Sequence, residues 1–264
     1  MRTGWLIYDE QGARRNEWFI SSFLQTAERY GVKLTLKLVE EDFLSEPLPS
    51  FVIVRTIAPQ INKFLRERSV PVFNNYQTAK IANDKWLTYT LCEELGIPTM
   101  KTQPLSFPLS LPFPLVLKSR NGHGGSEVFL AENNEALAGL LPTIDVNNFI
   151  AQEFCSSPGK DMRVYVLGGE VICGMLRQSE KDFRSNFSLG GNASVCEVSK
   201  AQKEIIAKLY AALGCDFVGV DFILHNGQWI LNEIEDVVGT RMLYAHTKLD
   251  IVDLYLKYIL KKLA

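Results

Sequence analysis

Residues 217–235 constrain the fold more than any other stretch of this chain. Two apolar runs, 217–224 and 229–235, flank His225-Asn226-Gly227. Asn-Gly between such runs is a strong hairpin signal, because both residues tolerate the positive φ of a tight antiparallel turn. The predicted hairpin carries three acids: Asp221 on its first strand, and Glu233 and Glu235 on its second. Side chains alternate along a strand, so Glu233 and Glu235 share a face, and pairing across the turn can bring Asp221 beside them. Carboxylates set among Val218, Val220, Phe222, Leu231 and Ile234 are costly unless a cation balances them. An oxygen-only set suits a hard ion such as Mg²⁺, held jointly with phosphates. A solvated strand face is the plainer alternative, and the spacing by itself leaves both open.

Upstream the texture is different. Apolar runs at 3–8, 33–39, 51–55 and 70–73 read as short strands. Helical spacing at Trp18, Ile20, Phe23, Leu24 and Ala27, and again over 61–67, lies between them. This βαββαβ-like order predicts a small α/β domain with a mostly parallel sheet over residues 1–76. A helical pattern over 76–95 stops at Gly96-Ile97-Pro98. The stretch that follows, with Pro98, Pro104, Pro108, Pro112 and Pro114, punctuates the chain like a linker between lobes. Strands are predicted at 115–118 and 127–130, then at 149–154, 163–167 and 171–176, with Gly168-Gly169 as a hairpin turn. Helices at 201–213 and 251–263 complete the reading. We divide the chain at 76/77 and 148/149, into the N-terminal domain and two α+β lobes.

Composition narrows the function classes. A chain of 264 residues with 47% hydrophobic and 22% charged residues can bury a large core without staples. The net charge of −2 argues against a nucleic-acid or membrane-surface role, which calls for a basic face. The five cysteines are odd in number, scattered and without a C-x-x-C pair, so reduced buried thiols are expected. No stretch approaches the ~18 apolar residues of a membrane span, and Met1-Arg2-Thr3 leads straight into a strand, so a cytoplasmic location is expected.

Two further clusters bear chemistry. Lys118-Ser119-Arg120-Asn121-Gly122-His123-Gly124-Gly125-Ser126 lies between two predicted strands. Glycines let backbone N–H groups approach phosphate oxygens, and a neighbouring lysine balances charge. The G-K-[ST] ending of a Walker A loop is missing, and so is the Rossmann spacing of glycines. The second cluster is Asp182-Phe183-Arg184-Ser185-Asn186, followed by Gly190-Gly191 and preceded by Arg177. Arginines beside glycines suit anion capture and support of a developing phosphoryl charge. Each cluster alone is equally readable as an exposed loop.

Taken together and in this order, the segments resemble the RimK-like ATP-grasp ligases, from about Asn74 to the C-terminus. The resemblance includes Ala82-Asn83-Asp84-Lys85, Gly96-Ile97-Pro98-Thr99, and Pro114-Leu115-Val116-Leu117-Lys118 with its glycine loop. It continues through Gln152-Glu153-Phe154, Asp161-Met162-Arg163 and Asp182-Phe183-Arg184-Ser185-Asn186 with Gly190-Gly191. Val218-Gly219-Val220-Asp221 and Glu233-Ile234-Glu235 close it.

That resemblance implies an ATP-grasp fold, in which a small N-terminal α/β domain precedes two lobes that sandwich ATP. It implies that Lys85 and Lys118 contact the nucleotide, with Gly122, Gly124, Gly125 and Ser126 closing over the phosphates. Glu153 and Phe154 match the segment that meets adenine, and Asp161 a nucleotide-contacting acid. Arg184, Ser185 and Asn186 match the segment beside the phosphates, and with Arg177 they supply the catalytic candidates Arg177, Arg184 and Asn186. Asp221, Glu233 and Glu235 stand where the family holds Mg²⁺, for which Mn²⁺ can substitute. Arg55 and Arg241 are candidates for holding a substrate carboxylate.

The implied reaction joins a small carboxylate to an amine, on an amino acid or peptide, through an acyl phosphate with release of ADP. Neither nucleic acid nor membrane is an expected partner, and a homo-oligomer is compatible with the reading. One departure stands out: the family commonly ends its hairpin in Glu-x-Asn, whereas this chain has Glu233-Ile234-Glu235. A nucleotide-binding protein with altered catalysis and a regulatory role is the alternative that this departure supports.

Overall fold

The computed structural model describes residues 1–125, 127–179 and 192–264. Strand β1 (Arg2–Tyr8) opens the chain, followed by α1 (Glu10–Arg15), α2 (Glu17–Arg29), β2 (Val32–Leu38), β3 (Phe51–Val54), α3 (Pro59–Glu67) and β4 (Val72–Phe73). The strands pair in the order β2-β1-β3-β4, all parallel, as the βαββαβ reading predicts. The central strands are unbroken apolar runs because both faces are covered. Leu6, Phe51 and Ile53 face Phe19, Phe23 and Ala27 of α2. Trp5, Ile7, Val52 and Val54 face Ile61 and Leu65 of α3. Helix α1 buries none of its residues and so leaves no apolar periodicity to read in the sequence. Asp9 caps it by accepting from the Gly12 amide at 2.7 Å.

The run read as one helix over 76–95 is two, α4 (Tyr76–Ala82) and α5 (Lys85–Glu94). The break falls where the Asp84 carboxylate caps α5 by accepting from the Trp86 and Leu87 amides. The middle sheet contains β5 (Thr102–Pro104), β6 (Leu115–Ser119) and β7 (Val128–Ala131), with α6 (Asn134–Leu140) on its apolar face. Its remaining strand is β8 (Phe149–Glu153), in the order β5-β8-β6-β7.

The C-terminal sheet is antiparallel, in the order β11-β10-β9-β12-β13. Its strands are β9 (Lys160–Leu167), β10 (Glu170–Gln178), β11 (Asn192–Cys196), β12 (Phe217–His225) and β13 (Gln228–Glu235). Helix α7 (Lys200–Leu213) precedes β12, while α8 (Arg241–His246) and α9 (Ile251–Lys262) follow β13. Among the described residues no helix is long and apolar enough to cross a membrane.

The division expected at 148/149 does not follow the sheets. Strand β8 hydrogen-bonds to β5 and β6, so it belongs with the middle sheet although its apolar texture matches the strands that follow. Helices α4 and α5, expected in the middle lobe, pack Ile81, Ala82 and Cys92 against Val164, Val218 and Ile205 of the C-terminal lobe. Helix α9 returns to the N-terminal domain, where Tyr255 and Ile259 share a core with Phe23 and Phe217.

A buried polar staple joins these layers. The Asn74 side chain accepts from the Asp216 and Phe217 amides at 2.6 and 2.9 Å, and donates to the Asp236 carboxylate at 2.8 Å. The Asp216 carboxylate accepts from Tyr258 Oη at 2.8 Å and Lys262 Nζ at 2.7 Å. Burial raises the Asp216 carboxyl above its ordinary value, and Lys262 opposes that rise. A carboxyl raised on folding stabilises the fold in acid, and that contribution is lost as pH climbs through its folded value. Without Lys262 the folded value climbs further. Lys262→Ala should therefore cost little near pH 4 and about 1–2 kcal/mol at neutral pH, discounted because Lys262 is half exposed. Urea unfolding at the two pH values measures the difference.

Candidate nucleotide and substrate site

A cavity separates the glycine loop and β6 from the face of the C-terminal sheet, with the end of β8 at its side. Lys85 opens α5, and its amide donates to the Arg120 carbonyl at 2.9 Å while the Arg120 guanidinium pairs with Asp84 at 2.6 Å. The start of the glycine loop is thereby tied to the N-terminus of α5. Lys85 Nζ donates to the Gly122 carbonyl at 2.5 Å and lies 3.5 Å from the Glu233 carboxylate. Gly124 and Gly125 have φ of 66° and 77°, a region that penalises any Cβ, so this loop requires glycine at both positions. Ser126 lies outside the described residues, as do Arg184, Ser185 and Asn186.

Lys118 is buried on β6, and its ammonium donates to Asn232 Oδ1 at 3.1 Å. Burial pushes this ammonium down to about 8, with Glu233 opposing and Lys85 adding to the shift. Asn232 owes its position to a β-bulge. Asp221 pairs with Glu233 but Phe222 pairs with Leu231, so Asn232 is an extra residue in β13. The bulge breaks the strict alternation and brings Asn232 to the cavity beside Glu233. Sequence reasoning missed this residue; its signal is a third polar side chain beside Glu233 in an apolar strand.

The acids lie on the cavity face, as predicted, but guanidinium groups balance their charge. Arg163 stands opposite Asp221 in the β9–β12 ladder and grips both its oxygens, at 2.8 and 2.7 Å. Arg177 reaches the same carboxylate at 2.7 Å and holds Asp161, its cross-strand neighbour on β9, through two bonds of 2.6 Å. Arg163 also donates to Glu235.

Burial alone would raise the Asp221 carboxyl, but Arg163 and Arg177 outweigh it and hold the group near 2. Glu235 moves the other way. Burial, Asp221 and Glu233 together push it above its ordinary value, against the pull of Arg163. Two arginines on neighbouring strands thus supply for Asp221 the balancing cation that carboxylates in apolar strands require. Arg163 belongs to the Asp161-Met162-Arg163 segment, and its role follows only from the β9–β12 register.

Among the described residues, no group of three or more His, Cys, Asp or Glu side chains converges as a metal cage. Glu233 and Glu235 nonetheless remain 23% and 26% exposed into the cavity, and they offer only oxygen. That donor chemistry fits a hard divalent cation whose other ligands are phosphate oxygens and water. Asp221 lines the same cavity, and among the described residues its Oδ1 accepts from Arg163 alone, which leaves that oxygen a further lone pair.

Glu153 and Phe154 line the same cavity at the end of β8, and the Glu153 carboxylate accepts from the Lys101 amide at 2.8 Å. Arg177 and Asp161 line it too, joined to each other. Arg55 follows β3 and is 8% exposed; it donates to the Val238 carbonyl at 2.7 Å and lies over the Phe19 ring at 5.5 Å. Arg241 begins α8 and donates to the Arg15 carbonyl at 3.2 Å. Both arginines face a second cavity of about 460 Å³, which shares Gly124, Arg177 and Glu235 with the first. The two cavities are therefore adjacent, one bounded by lysines and glycines and the other by arginines.

Residues 83–259 match the RimK-like ATP-grasp domain family. A probable alpha-L-glutamate ligase of Haemophilus ducreyi is 28% identical over 81% of this chain and 74% of its own length. The fold superposes on an ATP complex of D-alanine–D-alanine ligase from Bacillus anthracis, with a TM-score of 0.75 at 14% identity, covering 100% of this chain and 97% of that one. A RimK-domain ATP-grasp protein of Sphaerobacter thermophilus gives a TM-score of 0.73 at 16% identity, covering 98% and 99% of the two chains. With its two antiparallel lobes facing each other across a lysine- and glycine-lined cavity, the chain belongs to the RimK-like ATP-grasp family.

Proposed function

We propose that this protein is an ATP-dependent carboxylate–amine ligase that forms an amide through an acyl phosphate and releases ADP and phosphate. The observation that carries this reading is the adjacency of the two cavities. A cleft with Lys85, Lys118 and the glycine loop on one wall and Glu233 and Glu235 on the other adjoins a cavity lined by Arg55 and Arg241. Placing two anions, a carboxylate and a triphosphate, in contact demands cationic walls and fixed positions.

In this reading Lys85 and Lys118 hold the phosphates, and the amides of Gly124 and Gly125 close over them. Glu233 and Glu235 would hold Mg²⁺, which when bound neutralises phosphate charge. The substrate carboxylate attacks the γ-phosphorus, and the bond to the β–γ bridging oxygen breaks with its electron pair leaving on ADP. The amine nitrogen then bonds to the acyl carbon, phosphate departs with the C–O electron pair, and the displaced amine proton passes to water. No enzyme nucleophile is required. The alpha-L-glutamate ligase relative favours glutamate as one substrate.

Incubation with ATP, Mg²⁺ and pairs of amino acids, read by phosphate release and product mass, tests the proposal. Release that requires both a carboxylate and an amine is expected. ATP binding with no turnover for any pair would favour a regulatory nucleotide-binding protein, the reading that the Glu235–Arg163 contact supports.

Lys118 adds a pH signature. Its ammonium is charged below about pH 8 and neutral above, and triphosphate favours the charged form. ATP binding at about pH 8.5 should therefore take up a proton, seen as a dependence of calorimetric heat on buffer ionisation enthalpy. That uptake should vanish in Lys118→Arg, whose guanidinium stays charged.

A further inference from the structure

The second cavity has an outer wall that the reaction does not use. Trp18, Phe19, Met242 and Tyr244 line it, in the cavity that also borders Arg177 and Glu235. Trp18 is 63% exposed, although the inward face of its helix is carried by Phe19, Ile20 and Phe23. It is not loosely placed: its ring meets Tyr244 edge-on, with centroids 4.8 Å apart and an interplanar angle of 84°. Phe19 also meets Tyr244 edge-on, at 6.2 Å. Three aromatic rings held in fixed mutual geometry, with one left open to water, form a preorganised face for another ring.

The charge beside this wall is only loosely balanced: Asp9 acts on Arg15 and Asp236 on Arg55 without a direct ion pair. Arg163 and Arg177 are occupied by Asp161, Asp221 and Glu235. Arg15, Arg55 and Arg241 face the same cavity, and among the described residues none of the three has a carboxylate within ion-pair distance. The contacts of Arg55 and Arg241 are to the carbonyls of Val238 and Arg15. Arg55 is the telling one, because it is 8% exposed, lines the cavity, and directs its hydrogen bond to a neutral acceptor, the Val238 carbonyl. A buried guanidinium whose hydrogen bond goes to a neutral carbonyl keeps charge that an anionic acceptor inside the cavity balances.

We propose that this cavity seats the amine substrate, and that this substrate is an aromatic amino acid. Its carboxylate sits on Arg55 with Arg15 and Arg241, its ring lies against Trp18 and Tyr244, and its amine points to the end shared with the nucleotide cavity. This rests on the ligase reading and deepens it by naming the acceptor class. An acidic acceptor such as aspartate satisfies the arginines but leaves the aromatic wall in water. An amine without a carboxylate packs on the wall but brings no anion to the arginines. Only a molecule with both features matches both halves of the cavity.

Calorimetric titration of the full chain, saturated with a non-hydrolysable ATP analogue and Mg²⁺, tests the assignment without requiring turnover. L-phenylalanine should bind at least tenfold more tightly than L-alanine, L-aspartate or phenethylamine. Trp18→Ala, a change at an exposed position, should bring phenylalanine to within about threefold of alanine. Trp18→Phe should restore most of the gap, which a merely structural role would not produce. Equal or tighter binding of aspartate, an unchanged phenylalanine-to-alanine ratio in Trp18→Ala, or no measurable phenylalanine binding would each overturn the proposal. The two readings fail separately. Phosphate release with acidic acceptors alone removes the aromatic acceptor and leaves the ligase, whereas tight phenylalanine binding without turnover for any pair removes the ligase and leaves the site.

Discussion

Replacing Arg163 with methionine should lower the free energy of unfolding by about 3–5 kcal/mol, the cost of stranding a buried charge. Asp221 is 4% exposed and receives both oxygens' main contacts from Arg163, with Arg177 sharing one of them. Removing Arg163 leaves Arg177 to balance Asp161 and Asp221 at once, and it leaves Glu235 raised further by the acids beside it. Methionine keeps most of the stem packing, so the loss reports on charge and hydrogen bonds more than on volume.

The partner change separates a charge effect from general disruption. Asp221→Asn in the Arg163→Met background should recover part of the loss, because the stranded charge is gone, and a double-mutant cycle by urea unfolding gives the coupling. An exposed pair marks the other end of the scale. Lys63 and Glu67 are more than half exposed and 3.9 Å apart, so Lys63→Ala should change stability by less than about 0.5 kcal/mol. A loss below about 1 kcal/mol in Arg163→Met would mean that water or rearranged neighbours take over the compensation of Asp221.

Lys118→Ala should weaken ATP binding by about 2 kcal/mol or more, roughly thirtyfold, which is the scale of one charge-assisted contact. Stability should move much less. The ammonium is already disfavoured by burial, which is why it sits near 8, so its removal returns part of a desolvation cost while giving up the Asn232 bond. Lys118→Met keeps the length of the stem and tests whether charge is the cause. If calorimetry finds ATP affinity unchanged in both variants, Lys118 does not meet the nucleotide, and its bond to Asn232 is its whole role.

Several elements follow from local pattern alone. The parallel N-terminal sheet is legible because its central strands are apolar on both faces and alternate with helical periodicity. The His225-Asn226-Gly227 hairpin is legible because Asn226 and Gly227 accept the positive φ they adopt, 50° and 77°. The glycine loop between β6 and β7 and the convergence of Asp221, Glu233 and Glu235 on one cavity were likewise in the order of residues.

Other features were settled only by long-range pairing. Nothing local to residues 149–153 says which strands they join, since an apolar run satisfies either sheet; their hydrogen bonds to β5 and β6 decide it. The bulge that turns Asn232 toward Lys118 exists because β13 carries one residue more than β12 at that point, a property of two strands and not of one. The largest difference lies in the electrostatics. Carboxylates in apolar strands announce that a cation must come, because an isolated buried charge is prohibitive. Which cation comes depends on cross-strand register. Arg163 and Arg177 stand across from Asp221 and Asp161, up to sixty residues away along the chain, only when the C-terminal sheet has closed.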